Sequence, residues 1–322
     1  MPLRPSARWL TLAGGLIAVL GLAFVVRSLV SNWSQTQELL RDAEFWWLIL
    51  AVPIALAGMT GVGIPWQRAI NLVGGDARIG DVLRWYFPGQ MGKYVPGGVW
   101  PVVGRGELAV KGGAPRTVAY SSVGLSLATT YLAAVLLAIV SFIPALEDVS
   151  GSNPPLWVFA LLPAGLVMLH PRVLSKIVAV GERVLGRSVD VRLPSWRDTV
   201  LLVLVHVPAW ILIGTATWCV VRAFTPSPPY AAVIFATSLS WVVGFIVIGV
   251  PGGLGVREAT FAAVLANAVP VGVAPAAALT ARLVFMLVDT LGAGGASLST
   301  RRRRSVARAA VAESEVAEAE VT

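Results

Sequence analysis

The chain has 322 residues, 56% of them hydrophobic and 13% charged, with a formal net charge of +8. Soluble domains carry about 25% charged residues, so this composition excludes an ordinary soluble fold and needs lipid to cover its apolar surface. A single cysteine, Cys219, excludes an intramolecular disulfide and a thiolate cluster, and the two histidines, His170 and His206, fall in different segments and form no metal-ligand constellation.

A helix crosses the hydrocarbon core with about 20 apolar residues. The first such run, residues 9–26, follows Arg4 and Arg8 and reads as a retained span rather than a signal peptide, with Arg27 snorkelling at its end. A second run covers 45–64. Residues 81–87, with Arg84, Trp85, Tyr86 and Phe87, read as a short interfacial helix whose aromatics sit at headgroup level. A Gly/Pro-broken stretch follows, and then a run over 118–143 that carries a polar streak of Ser121, Ser122, Ser126, Thr129 and Thr130 with Tyr131, its hydroxyls read as packing contacts. The runs at 199–221, 230–250 and 276–298 are also of spanning length. Those at 156–169 and 259–273 are shorter, a length that suits re-entrant segments as well.

If all eight runs cross, one side collects Arg68, Arg78, Arg84, Lys93, Arg105, Lys111 and Arg116, then Arg172, Lys176, Arg183, Arg187, Arg192 and Arg197, and finally Arg301 to Arg304. The other side holds Glu38, Arg41, Asp42, Glu44, Glu147, Asp148 and Arg222. Retention of basic loops in the cytoplasm then supports eight crossings with both termini cytoplasmic. The expected organisation is an all-α integral membrane protein of about eight transmembrane helices in pseudo-symmetric halves. It comprises a membrane domain over 1–300, with broken segments at about 88–112 and 250–273, and a basic then acidic disordered tail over 301–322.

The two broken stretches carry the functional signal. The first contains Lys93, Pro96, Gly97, Gly98, Arg105 and Glu107; the second contains Pro251, Gly252, Gly253, Leu254, Gly255, Arg257 and Glu258. Both read Val-Pro-Gly-Gly, an apolar residue, then Gly shortly before Arg and a nearby Glu. Proline removes a donor and glycine permits positive φ, so the chain can break and restart as a helix. Such restarts in corresponding positions of two halves point to a transporter binding site, where helix N–H groups and guanidinium forks suit a phosphate. Taken singly, each could be an interfacial turn with a snorkelling Arg; the repetition favours a site. Arg282 and Asp289, seven residues apart in the last run, share a helix face and join the candidates, because charge within a span normally lines a bundle interior.

At these motifs the chain resembles the transmembrane, flippase-like region of the lysylphosphatidylglycerol synthase family. The likeness rests on Pro96-Gly97-Gly98 with Arg105, on the run from Pro251 to Glu258, and on Arg282. It implies an eight-helix bundle with two facing re-entrant elements around a cavity that admits a lipid headgroup. Family members often carry acidic and Arg residues where Ser126, Thr129 and Thr130 stand here, and the soluble aminoacyl-transferring domain is not in this sequence, so lysine transfer is not carried over.

The leading expectation is a lipid translocator in the bacterial plasma membrane, handling an anionic phospholipid or a polyprenyl-phosphate-linked lipid. The substrate-binding candidates are Lys93, Gly97, Gly98, Arg105, Glu107, Gly252, Gly253, Arg257, Glu258, Arg282 and Asp289, with no catalytic residue, metal or cofactor. No GxxxxGK[ST] loop occurs, so energy would come from gradients or mass action. Two alternatives stand beside it: a membrane-embedded transferase with Glu107, Glu258 or Asp289 as general base, and an envelope scaffold acting through the basic loop at 170–198. Partners are phosphate-headgroup lipids, with a second copy or an envelope protein as further candidates and no nucleic acid.

Overall fold

The structure, a computed structural model, describes residues 41–94, 99–152, 154–185, 192–247 and 253–321. The first apolar run, and Pro96, Gly97, Gly98, Pro251 and Gly252 of the broken stretches, lie outside the described residues. Ten α-helices and two short 3-10 turns make up the described chain, with no strand among those residues. Four helical stretches are long and apolar enough to cross a membrane: α1 (Phe45–Leu72), α4 (Arg116–Ala145), α7 (Trp196–Arg222) and the first part of α10 (Val273–Val321), over Val273–Thr300. The 28 residues of α1 rise about 42 Å, more than the roughly 30 Å hydrocarbon core.

Polarity is inverted relative to a soluble protein. Trp46, Ile143 and Leu283 are 67%, 69% and 65% exposed, whereas Arg105, Glu258 and Asp289 are buried. Exposed apolar faces of this extent need lipid, and a charge inside such a bundle needs a partner or a wet cavity.

Contacts between helix ends fix the two ends of the bundle. At one end, Arg222 of α7 pairs with Glu44, just before α1, at 2.9 Å, and the Glu44 N–H donates to the Ala223 carbonyl. Hydrogen bonds from Arg222 and the Trp47 indole hold the Glu44 carboxyl below its ordinary range. At the opposite end α1 stops, and α2 (Ile79–Gln90) begins; there Arg84 pairs with Asp81 and donates to Ser299 of α10. The 3-10 turn Leu156–Ala160 and α5 (Leu161–Met168) lead from the Glu44 end to His170, whose ring lies 5.3 Å from that of Trp196 at the start of α7. The stretched 3-10 turn helps so short a run reach that far, at about 2 Å per residue. The amphipathic α6 (Pro171–Leu185) follows, and Ser195 caps α7 by accepting the Asp198 N–H.

Between these helices run two hairpins. In the first, α2 enters from the Arg84 end, the 3-10 turn Met91–Tyr94 follows, and α3 (Trp100–Lys111) returns. In the second, α8 (Tyr230–Ile246) enters from the Glu44 end, where the Tyr230 hydroxyl meets Thr215 of α7, and α9 (Val256–Leu265) returns to that end. Asn267, just past α9, donates to the Ser150 carbonyl in the loop beyond α4.

Two expectations are corrected here. The run 259–273 is not one crossing: α9 ends at Leu265, and Gly272 at φ 85° precedes α10. Pro270 biases its neighbour away from helix, so apolarity continues across a backbone break. The segment 81–87 is not an interfacial helix but part of the first hairpin arm, with Tyr86 and Phe87 buried in the bundle. In the tail the backbone is helical to Val321; its Ala, Glu and Arg are strong helix formers.

Candidate functional site

Each hairpin closes by the same device. In the first, Gly104 of α3 lies against Gly89 of α2 so closely that an added Cβ would sit 3.2 Å from the Gly89 Cα, and Arg105 is the next residue. In the second, a Cβ on Gly253 would meet the Gly244 Cα at 3.0 Å, and a Cβ on Gly244 would meet the Cβ of Arg257 at 3.2 Å. Gly253 and Gly255 adopt φ 68° and 80°, which lets the chain turn sharply into α9. In both hairpins a glycine on the entering helix therefore holds the arginine-bearing returning helix at backbone contact.

The second hairpin is braced by α10. Glu258, at the third position of α9, accepts the Gly255 N–H at 2.7 Å with one carboxylate oxygen and the Arg282 guanidinium at 2.5 Å with the other. Sequence alone leaves the donors of this helix restart open to a ligand; the structure gives one of them to Glu258. Seven residues on, fully buried Asp289 accepts the Tyr94 hydroxyl at 2.5 Å and pairs with Lys93 at 2.6 Å. The tip of the first hairpin is thus fastened to the same face of α10 that braces the second.

Arg257 makes no hydrogen bond or ion pair among the described residues; its guanidinium lies 3.6 Å from the Trp241 ring centroid and 5.5 Å from that of Phe285. Arg105, 2% exposed, donates Nε to the Pro101 carbonyl at 3.2 Å, faces Trp66 and Tyr86, and has an unpartnered Nη2. Stacking on aromatic faces stabilises a desolvated guanidinium by about 2 kcal/mol but cancels no charge. Tyr131 of α4 neighbours both arginines and stacks on Phe245 at 3.8 Å and 17°. A cavity of ≈ 20 Å³ lies among Thr217, Thr237, Ser240, Trp241, Arg257 and Glu258, room for a water molecule or two.

Of the sequence candidates, Lys93, Arg257, Glu258, Arg282, Asp289 and Gly253 come together, and Arg105 shares with Arg257 the neighbourhood of Tyr131. Glu107 stands apart, bonded to Arg116 and to the Tyr120 hydroxyl. Gly97, Gly98 and Gly252 lie outside the described residues. Sequence reasoning missed Tyr94, Tyr131, Trp241, Phe245 and Phe285. Tyr94 adjoins Lys93 and could have been flagged, and Tyr131 stands in the polar streak read as packing; nothing in the apolar runs sets the other three apart from packing aromatics. The hydroxyl streak does serve packing in part: the Trp66 indole donates to Ser122, and Thr129 bonds back within α4.

The family model described as lysylphosphatidylglycerol synthase TM region matches residues 11–293. No curated protein matches the chain.

Proposed function

The chain belongs to the lysylphosphatidylglycerol synthase TM region family, and from that membership we propose that it moves lipids with anionic phosphate headgroups between the leaflets of a bacterial plasma membrane, with both termini cytoplasmic. An anionic phospholipid or a polyprenyl-phosphate-linked lipid fits the reading. The observation that carries it is the pair of hairpins entering from opposite ends of the bundle, each holding one guanidinium without a carboxylate partner among the described residues, buried Arg105 and half-buried Arg257. A phosphate in hydrocarbon lacks hydrogen-bond donors, and a guanidinium fork supplies them in the geometry a phosphate needs.

The headgroup passes from one arginine to the other past Tyr131 while its chains stay in lipid. Because the cavity beside Arg257 holds little more than water, passage requires the hairpins to part, driven by a gradient or by mass action. The transferase alternative draws less support, since Glu107, Glu258 and Asp289 are each tied in an ion pair.

The test is leaflet exchange of a fluorescent phosphatidylglycerol in proteoliposomes. The intact protein is expected to exceed protein-free vesicles, and the double variant Arg105→Ala, Arg257→Ala to fall by about tenfold or more, the loss of two charge-assisted contacts. Equal rates for the two proteins would overturn the proposal.

A further inference from the structure

The charges gathered at the hairpin tips do not balance. Among the described residues four cations face the route, Lys93, Arg105, Arg257 and Arg282, against two carboxylates, Glu258 and Asp289, which leaves two positive charges in excess there. Each carboxylate already holds a cation of the protein, Glu258 with Arg282 at 2.5 Å and Asp289 with Lys93 at 2.6 Å. The arginines left over, Arg105 and Arg257, come one from each hairpin.

A headgroup ammonium is ordinarily held by a carboxylate or by an open aromatic face. Each carboxylate is already paired with a cation of the protein, although the Asp289 Oδ1 accepts no hydrogen bond among the described residues, and the aromatic faces are covered. The guanidinium of Arg257 covers Trp241 at 3.6 Å, and Tyr131 and Phe245 cover one another at 3.8 Å. An ammonium brought to this site would meet an excess of like charge in a poorly solvated interior, where repulsion is weakly screened.

We infer that the site takes phosphate headgroups that carry no ammonium group and rejects aminoacylated lipids, including the lysyl ester for which the family is named. A lysyl ester adds two ammonium groups to a phosphatidylglycerol, turning a monoanion into a net cation. The inference rests on the translocator reading and narrows its cargo to lipids whose headgroups are anionic throughout, whether diesters such as phosphatidylglycerol or monoesters such as phosphatidic acid.

The experiment uses the full chain in proteoliposomes with fluorescent phosphatidylglycerol, phosphatidic acid and lysylphosphatidylglycerol in separate arms, alongside protein-free vesicles. The expected result is protein-dependent exchange of at least one of the two anionic lipids, about tenfold or more above that of the lysyl ester; which of them moves faster distinguishes a diester from a monoester cargo. Lysylphosphatidylglycerol exchange equal to that of both anionic lipids would overturn the inference and leave the translocator reading standing. If no lipid exceeds the protein-free rate, both fall. A second measurement needs no transport: dioctanoyl phosphatidylglycerol should raise the unfolding midpoint of the detergent-solubilised protein, and its lysyl ester should not. An equal rise with both would count against the inference. In the variant Arg282→Gln, Glu258 is freed to accept an ammonium, so the gap between the two lipids should narrow; an unchanged gap in a folded variant would mean that the charge balance is not what selects.

Discussion

Asp289 and Lys93 pair in the bundle interior, where an unpaired charge is costly. The carboxylate is fully buried, and it is held through one oxygen by the Lys93 ammonium at 2.6 Å and the Tyr94 hydroxyl at 2.5 Å. Removing one member of a buried pair strands the other charge and costs about 3–5 kcal/mol, whereas replacing both by apolar groups is often neutral. Asp289→Asn should therefore lower the unfolding midpoint in detergent sharply, and the double variant Lys93→Met, Asp289→Leu should recover most of that loss. A double variant no more stable than the single one would show that the pair is not what the first substitution broke. At this scale the sequence was informative about charge and silent about aromatics. Arg282 and Asp289 stood out because charge is rare within a span, and their spacing put them on one face. Trp241 sits in an apolar run where any large side chain would look the same, and its role depends on an arginine that the fold brings from beyond the chain break.

The hairpins depend on backbone contact at glycine, and the strain of adding a methyl group differs from one glycine to another. Gly253 combines φ 68° with a Cβ position 3.0 Å from the Gly244 Cα, so Gly253→Ala both strains the backbone and pushes α9 away from α8. A cost of about 1–3 kcal/mol is expected from the strain alone, read as a lower unfolding midpoint. Displacement of Arg257 from Trp241 should accompany it, read as a change in tryptophan fluorescence. Gly124 on α4 has nothing within 4 Å of its Cβ position, so Gly124→Ala should leave the midpoint unchanged or raise it, by up to about 1 kcal/mol of helix propensity. If the two substitutions behave alike, close approach at the hairpin crossing is not what the glycine provides. The repeated Val-Pro-Gly-Gly made two breaks legible in the sequence, because proline and glycine act locally. Gly89 follows Pro88 inside the predicted broken stretch, but Gly244, which receives the second returning helix, carried no such mark, since its partner is set by tertiary approach and a glycine within an apolar run has many innocent readings.

Across the whole molecule, the sidedness of the chain does not depend on whether 259–273 crosses. A hairpin formed by α8 and α9 and a pair of full crossings over the same residues both return the chain to the Glu44 end before α10 begins. Apolar length counted eight runs because a window cannot see a break that keeps its apolar character. Charge counting is blind to the same distinction, because both arrangements send the basic segment after Thr300 to the Arg84 end. Impermeant thiol labelling of intact cells tests this arrangement, in a Cys219→Ser background that removes the one native, buried thiol. Ser150→Cys and Asn267→Cys lie together at the Glu44 end, joined by the Asn267 to Ser150 hydrogen bond, and both should label from outside. Asp76→Cys and Arg197→Cys, exposed at the Arg84 end, should label only after the cells are opened, as retention of basic loops in the cytoplasm requires. Labelling of positions 150 and 267 from opposite sides would break the second hairpin, and with it the approach of two chain breaks from opposite faces of the membrane. Labelling of all four positions with the two ends exchanged would keep the hairpins but invert the direction in which a lipid travels from Arg105 to Arg257.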